Sequence, residues 1–280
     1  MKINGKTRLF GIIGDPVDHS LSPIMHNAAF EHLGINGVYI PMQPDNLTEG
    51  VRGLRSLGFV GVSVTVPFKV AVMELLDEID PVALKIGAVN TLIFSRKEAA
   101  TPMCRGVNTD WVGSNRALAE VIRLSGSTAL ILGAGGAARA VGFGLVEAGA
   151  QVLVWNRSPE KGQTLAAQLD GTFVSADILP SVRADILVNT TSVGMAPHEQ
   201  EMPISPELLA RFSVVMDIVY VPLETRLLRE ARARGCQTID GLQMLLYQGA
   251  EQFTLWTGQK APHAVMRQAL IKALTTKRTI

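Results

Sequence analysis

Lys69 and Asp110 are the residues of this chain best suited to moving a proton, and neither stands alone. Lys69 closes the run Gly61-Val-Ser63-Val-Thr65-Val-Pro-Phe-Lys69, and Asp110 lies within Gly106-Val-Asn-Thr-Asp110-Trp-Val-Gly113. Three further runs carry the same kinds of group: Ser20-Leu-Ser22-Pro, Gly87-Ala-Val-Asn90-Thr91 and Met244-Leu-Leu-Tyr-Gln248-Gly. Hydroxyls, carboxamides, one lysine and one aspartate recur beside turn glycines, an inventory that suits a small polyhydroxylated acid held next to a redox nucleotide. Ketone reduction needs a donor for the oxyanion that forms as hydride arrives. A lysine supplies both charge and proton, and a neighbouring carboxylate keeps it cationic. The reverse oxidation needs that lysine to lose its proton, which favours alkaline pH. Read singly, Lys69 is a surface charge and Asp110, just before Trp111, an N-cap. Ser20 and Ser22 flank an expected helix start, a place where hydroxyl and backbone donors meet a carboxylate; the alternative is that either serine only caps the helix.

A second set of residues fits a dinucleotide. Gly133-Ala134-Gly135-Gly136-Ala137-Ala138 follows the apolar run 128–132 and opens a helical pattern over 136–148, the context that a pyrophosphate-binding turn requires. Gly133 makes the tight turn, Gly135 lets backbone approach phosphate, and Ala138 keeps helix and strand close. The helix N-terminus adds free N–H groups. At the end of the next strand stands Asn156-Arg157-Ser158, with no acid. An NAD site usually places a carboxylate there, whereas an anionic 2′-phosphate prefers a guanidinium and small donors, worth about 1.5–3 kcal/mol per charged hydrogen bond. NADP(H) is therefore the expected cofactor. The run Asn189-Thr190-Thr-Ser192-Val-Gly-Met195 follows another apolar strand and falls where parallel sheets bind ligands.

These segments need a frame that brings them together. Apolar runs at 9–13, 38–40, 59–66, 91–94, 128–132, 151–155, 186–188 and 214–217 read as strands. Helical spacing covers 22–33, 47–57, 71–76, 111–124, 136–148, 158–169, 222–234, 242–256 and 264–274. Strand alternating with helix implies α/β architecture with parallel pairing. Polar, aperiodic residues at 96–102 mark either a domain boundary or a hairpin tip, and the helices after 241 are expected to return to the first domain. The 280 residues, 47% hydrophobic, supply core for two ordinary domains. A net charge of +1 leaves no basic field for nucleic acid. No apolar run approaches the ~20 residues that span a bilayer, and the N-terminus lacks a signal-like stretch. Two distant cysteines and five dispersed histidines suggest a cytoplasmic protein without a metal site.

In combination and order, from about Phe10 to Phe253, these motifs closely resemble the shikimate dehydrogenase family. The resemblance implies an N-terminal substrate-binding domain, 1–104 with 239–280, and an NADP-binding Rossmann domain, 105–238, with reaction in the cleft between them. It implies Lys69 and Asp110 as the catalytic pair. Ser20 and Ser22 would hold the substrate carboxylate and Thr65, Asn90 and Asp110 the ring hydroxyls. Gln248, and Tyr220 in Asp217-Ile-Val-Tyr220-Val-Pro, would add substrate contacts. Gly133, Ala134, Gly135, Gly136, Ala137, Asn156, Arg157, Ser158, Thr190, Ser192, Met195 and Gly241 would bind cofactor. The implied reaction is reversible NADPH-dependent reduction of 3-dehydroshikimate to shikimate, on the route to aromatic amino acids, by a monomer or homodimer. A quinate/shikimate or aminoshikimate dehydrogenase of the same fold, or a non-catalytic NADP-binding regulator, are the alternatives. One residue departs from the pattern: the family's Gly-x-Asn-Val-Thr has Ser63 at the asparagine.

Overall fold

The computed structural model describes residues 3–95 and 103–277, so the polar stretch 96–102 lies outside the described residues. The chain divides into two compact units, Met1–Thr109 with Gln248–Ile280, and Asp110–Tyr247.

In the first unit the chain runs β1 (Arg8–Ile13), α1 (Ser22–His32), β2 (Gly37–Met42), α2 (Leu47–Ser56), β3 (Phe59–Val64), a 3-10 turn at Ala71–Leu75, β4 (Glu78–Ile79), α3 (Pro81–Ile86), β5 (Thr91–Ser95) and β6 (Met103–Val107). The six strands form one sheet in the order β2-β1-β3-β5-β6-β4. Local chemistry sets the helix ends. Asn46 caps α2 by accepting from the Glu49 N–H, and Asp80 caps α3 by accepting from the Val82 N–H. β1 pairs with β2 and β3 in parallel, as alternation of strand and helix implies. The strand expected at 91–94 does not follow that rule: β5 runs antiparallel to both β3 and β6. The chain between β3 and β5 holds a short edge strand and a two-turn helix rather than one crossover helix, so β5 re-enters from the opposite end. β6, which the sequence reading did not contain, continues the first sheet and carries the first unit past residue 104.

In the second unit α4 (Asp110–Ala119) leads into β7 (Thr128–Leu132), α5 (Gly136–Glu147), β8 (Gln151–Trp155), α6 (Pro159–Gln168), β9 (Thr172–Phe173), β10 (Ile186–Asn189), β11 (Val214–Asp217), α7 (Arg226–Ala233) and β12 (Gln237–Ile239). The sheet order is β12-β11-β10-β7-β8-β9, parallel throughout. Burial follows the period of two expected of strands. Ile131, Val154, Val188 and Met216 face one apolar layer, and Leu130, Leu132, Leu187 and Val215 face the other. Covering on both faces explains why these strands read as continuous apolar runs. Two expected helices are shorter than predicted. α4 stops at Ala119 rather than 124, and α7 begins after the Thr225 cap rather than at 222.

The chain ends with α8 (Gly241–Thr257) and α9 (His263–Lys277). α9 packs on α1, so the C-terminal helices do return to the first unit. Their aromatic residues join a dry cluster there: Phe10, Phe30, His26, Tyr39, Phe253 and Trp256 lie with ring centroids 4.5–6.5 Å apart. Among the described residues no helix is long and apolar enough to cross a membrane, and no group of histidine, cysteine and carboxylate side chains is placed to hold a metal ion.

Candidate active site

In the first unit, hydrogen bonds gather the candidate substrate residues at the carboxyl ends of β1 and β3. The Asp15 N–H donates to the Val66 carbonyl, and the Thr65 N–H to the Ile13 carbonyl. Those bonds hold the segment that leads to Ser20 and Ser22 against the Thr65 turn. The Val64 N–H donates to the Asn90 carbonyl, and the Val89 N–H to the Lys69 carbonyl at 2.8 Å. Lys69 and Asn90, distant in sequence, are thereby fixed on adjoining turns. α1 begins at Ser22, with Leu21 as N-cap and no side-chain cap. Ser20 Oγ instead accepts from the Ser22 N–H at 3.3 Å, so neither serine is a helix cap of the usual kind. Ser22 is buried. Glycine 249 brings α8 against α1, since a Cβ there would lie 2.2 Å from Met25 Cε. That approach draws the helix carrying Gln248 onto the one carrying Ser22.

Asn90 is the hub. Its Oδ1 accepts from the Thr109 N–H at 2.8 Å and from Thr91 Oγ1 at 2.7 Å. Its Nδ2 donates to Thr109 Oγ1 at 3.0 Å and towards Gln248 Oε1 at 3.4 Å. The amide is 2% exposed, so its two ends are chemically fixed, carbonyl to Thr91 and N–H₂ to Gln248. Thr109, thus anchored, immediately precedes Asp110, the first residue of α4 and 4% exposed. A buried carboxylate at a helix start is favoured by the helix dipole. Lys69 belongs to the first unit and Asp110 opens the second. Ser63, the residue that departs from the family pattern, is buried, accepts from the Tyr39 hydroxyl at 2.7 Å and donates to Gln252 Oε1 at 2.8 Å. Sequence reasoning missed Thr109 and Gln252. For Gln252 the available signal was its spacing, one helical turn after Gln248.

In the second unit the candidate cofactor residues line up at the carboxyl ends of β7, β8 and β10. Gly133 has φ +114°, a conformation that only glycine takes comfortably, and a Cβ there would sit 2.6 Å from Thr190 Oγ1. Its N–H donates to the Trp155 carbonyl, and the Thr190 N–H donates to Leu132, which clamps three loops together. Gly135 differs: a Cβ there meets nothing within 4 Å. It is the N-cap of α5, and no side chain caps that terminus. This uncapped terminus, bordered by Ala134, Gly136 and Ala137, is what a pyrophosphate requires. At the end of β8 lies a cavity of ≈ 830 Å³ lined by Asn156, Arg157, Ser192, His198, Glu201, Arg226 and others. Arg157 and Ser158 are exposed, and Asn156 Nδ2 donates to the Ser158 carbonyl, bracing the turn that presents the guanidinium. The residues present therefore fit NADP: a glycine turn that leaves room at Gly135, then a roomy cavity that carries the Arg157 and Arg226 guanidinium groups, with no carboxylate at the end of β8 itself. His198 and Arg226 were missed, the first because it lies in a loop and the second because the helical spacing over 222–234 marks an element and not a ligand contact.

Other assignments take their place around these loops. Met195 closes the Ser192 turn through its N–H. A Cβ on Gly241 would lie 2.3 Å from the Ile218 carbonyl oxygen, so close backbone approach accounts for glycine at that position. Burial pushes the Tyr220 hydroxyl up to about 12, keeping it a neutral donor. Asp217 is fully buried, and burial raises its carboxyl to about 6 against the lowering effect of bonds from Thr225, Val219 and Asn189. The Thr225 hydroxyl donates to its Oδ2 at 2.7 Å and Asn189 Nδ2 to its Oδ1 at 2.9 Å, tying the Tyr220 segment to the loop that carries Thr190 and Ser192.

The chain is similar to known proteins along nearly its whole length. Residues 12–92 match the family model for the shikimate dehydrogenase substrate binding domain, 115–217 that for shikimate/quinate 5-dehydrogenase, and 241–271 that for the shikimate 5′-dehydrogenase C-terminal domain. A shikimate dehydrogenase (NADP(+)) from Methanothermobacter thermautotrophicus is 48% identical, over 97% of this chain and 99% of its own. A crystal structure of a shikimate dehydrogenase in complex with NADP+ superposes with a TM-score of 0.88 at 41% identity, covering 98% of both chains. The Thermus thermophilus shikimate 5-dehydrogenase in complex with NADP(H) and shikimate gives 0.87 at 41% identity, covering 96% of this chain and 100% of that one.

Proposed function

We propose, from the premise that this chain belongs to the shikimate dehydrogenase family, that it catalyses the reversible NADPH-dependent reduction of 3-dehydroshikimate to shikimate, in the cytoplasm and as a monomer or homodimer. The observation that carries this reading is the pairing of two sites of opposite character. One is a cluster of carboxamide and hydroxyl groups around Asn90, with Lys69 on the adjoining turn. The other is a glycine turn that leaves room at Gly135, with a cavity that displays Arg157. The first suits a small polyol acid and the second a phosphorylated dinucleotide.

Bound NADPH supplies the hydride; the residues of this chain do the rest. Ser20 and Ser22 hold the substrate carboxylate at the start of α1. Thr65, Asn90 and Gln248 take the ring hydroxyls. Lys69 donates a proton to the ketone oxygen and stabilises its developing charge, and Asp110, the second catalytic residue, holds a hydroxyl. Tyr220 adds a neutral hydroxyl. The turn 133–137 would hold the pyrophosphate, Asn156, Arg157 and Ser158 would take the 2′-phosphate, and Thr190, Ser192, Met195 and Gly241 would shape the remainder. The absence of a carboxylate at the end of β8 supports NADP over NAD, and both cysteines are buried and free, in keeping with a reducing compartment.

The test is a set of initial rates crossing shikimate and quinate with NADP and NAD. Turnover with shikimate and NADP well above the other three pairs is expected. Equal or better turnover of quinate, or a preference for NAD, would assign the chain to a broader dehydrogenase. Binding of NADPH without turnover of either acid would turn it into a regulator.

A further inference from the structure

We infer that Gln252 is a positioning residue for the substrate site, setting through Thr91 the direction in which the Asn90 amide faces; this rests on the substrate reading above. The observation is a continuous, one-directional chain of buried hydrogen bonds. The Tyr39 hydroxyl donates to Ser63 Oγ at 2.7 Å, and Ser63 donates to Gln252 Oε1 at 2.8 Å. From the other end of the same amide, Gln252 Nε2 donates to Thr91 Oγ1 at 2.9 Å, and Thr91 donates to Asn90 Oδ1 at 2.7 Å. Gln252 Nε2 also donates to the Asn90 backbone carbonyl at 3.1 Å. Gln252 is 1% exposed, Thr91 0% and Ser63 5%, so water does not compete for these partners.

Direction follows from the donor inventory. A hydroxyl carries one proton. Thr91 gives its proton to Asn90 because its oxygen already receives one from Gln252. Asn90 Oδ1, held by that proton and by the Thr109 N–H, leaves Nδ2 as the end turned to Gln248. Remove the Gln252 amide, and Thr91 has no donor to fix its hydroxyl while the Asn90 carbonyl loses a partner. The preference of the Asn90 amide for one of its two orientations then weakens. Gln248 and Gln252 lie one turn apart on the same helix, so one helix face delivers both the contact and its brace. Ser63 belongs to the same device: the Tyr39 and Gln252 side chains meet upon its hydroxyl.

The experiment compares Gln252→Met, Ser63→Ala, Asn90→Ala and the Gln252→Met/Asn90→Ala double variant by steady-state kinetics, with thermal unfolding on each. Wild-type turnover of shikimate first tests the reading on which the inference rests; the inference itself is read only from ratios to wild type. Gln252→Met is expected to raise the KM for shikimate about tenfold, the scale of one well-made buried hydrogen bond. Its KM for NADP should stay within about twofold. Ser63→Ala, which deletes one link and leaves less to disturb, should raise the same KM by about threefold. In the double variant the loss should equal that of Asn90→Ala alone, because Gln252 acts through Asn90. Additive losses in the double variant, or a fall in melting temperature with the shikimate KM unchanged in both single variants, would make Gln252 structural only and overturn the inference.

Discussion

At the scale of single residues, the chemistry is concentrated in a few polar groups whose surroundings fix their state. Replacing Lys69 by alanine removes the proposed proton donor, and kcat should fall by about 10²–10⁴ with the shikimate KM changed far less. A large KM change with kcat intact would show that Lys69 only binds. His26 gives a second prediction. Fully buried against Tyr39 and Phe253, it is pushed down to about 3 by loss of water, against a smaller upward pull from Gln252. A depressed histidine favours the neutral form in the folded state. Its contribution to stability is complete above pH 6.5 and is lost as pH falls towards 3. Between pH 7.5 and 5 that loss is about 2 kcal/mol. Asp217, raised to about 6, works in the opposite sense, its contribution growing as pH falls below 6. Urea unfolding of wild type and His26→Phe at both pH values separates them. The wild type should lose about 2 kcal/mol more than the variant on acidification, and identical losses would contradict it. Lys69, Asp110 and Asn90 stood out as candidates because each belongs to a short motif with turn glycines and small polar residues. Gln252 was not, because its partners Ser63 and Thr91 are remote in sequence and meet it only in the folded sheet.

Secondary-structure elements explain how glycines, rather than side chains, prepare the cofactor site. Gly133 and Gly135 look alike in sequence, yet the first is enclosed and the second open. Alanine at position 135 meets no neighbouring atom, and its φ of −86° is one any residue adopts. Gly135→Ala is therefore expected to leave the melting temperature unchanged and to weaken NADP binding about tenfold or more, because the methyl stands where phosphate must approach the amides. Calorimetry of NADP binding beside a thermal melt checks this; a destabilised protein with unchanged affinity would mean that the loop faces protein instead. The alternation of strand and helix was readable wherever strands are buried on both faces, as Thr128–Leu132 and Val214–Asp217 are. It failed at β6. Met103-Cys-Arg-Gly-Val107 places a glycine at a buried position, where a Cβ would lie 2.4 Å from Leu76 Cδ1. Close packing and a hairpin partner, neither visible in hydropathy, make that segment a strand. The same blindness gave β5 the wrong pairing direction, since periodicity reports burial and says nothing of orientation.

For the molecule as a whole, the decisive fact is that the first unit is made from two separated stretches and the second from one. α9 buries Met266 and Leu270 completely, at roughly 1.5–3 kcal/mol for each side chain. A chain stopped after Gly258 should lose hydrogen-exchange protection in β1, β2 and α1 while β7, β8 and β10 keep theirs and NADP still binds. Uniform loss across both units would mean that neither stands without the other. The interrupted layout also carries a consequence for synthesis. On the ribosome, the nucleotide-binding unit has every residue it needs once Tyr247 has emerged. The unit that begins at the N-terminus has to wait for α9. At about 5–20 residues per second, the interval between Tyr247 and Leu270 is on the order of seconds. Through that interval Met25, Ala29 and Phe30 of α1 lack the cover that their own chain will later provide. The part of the protein made first is thus finished last, and its nascent apolar face is where a chaperone has reason to bind.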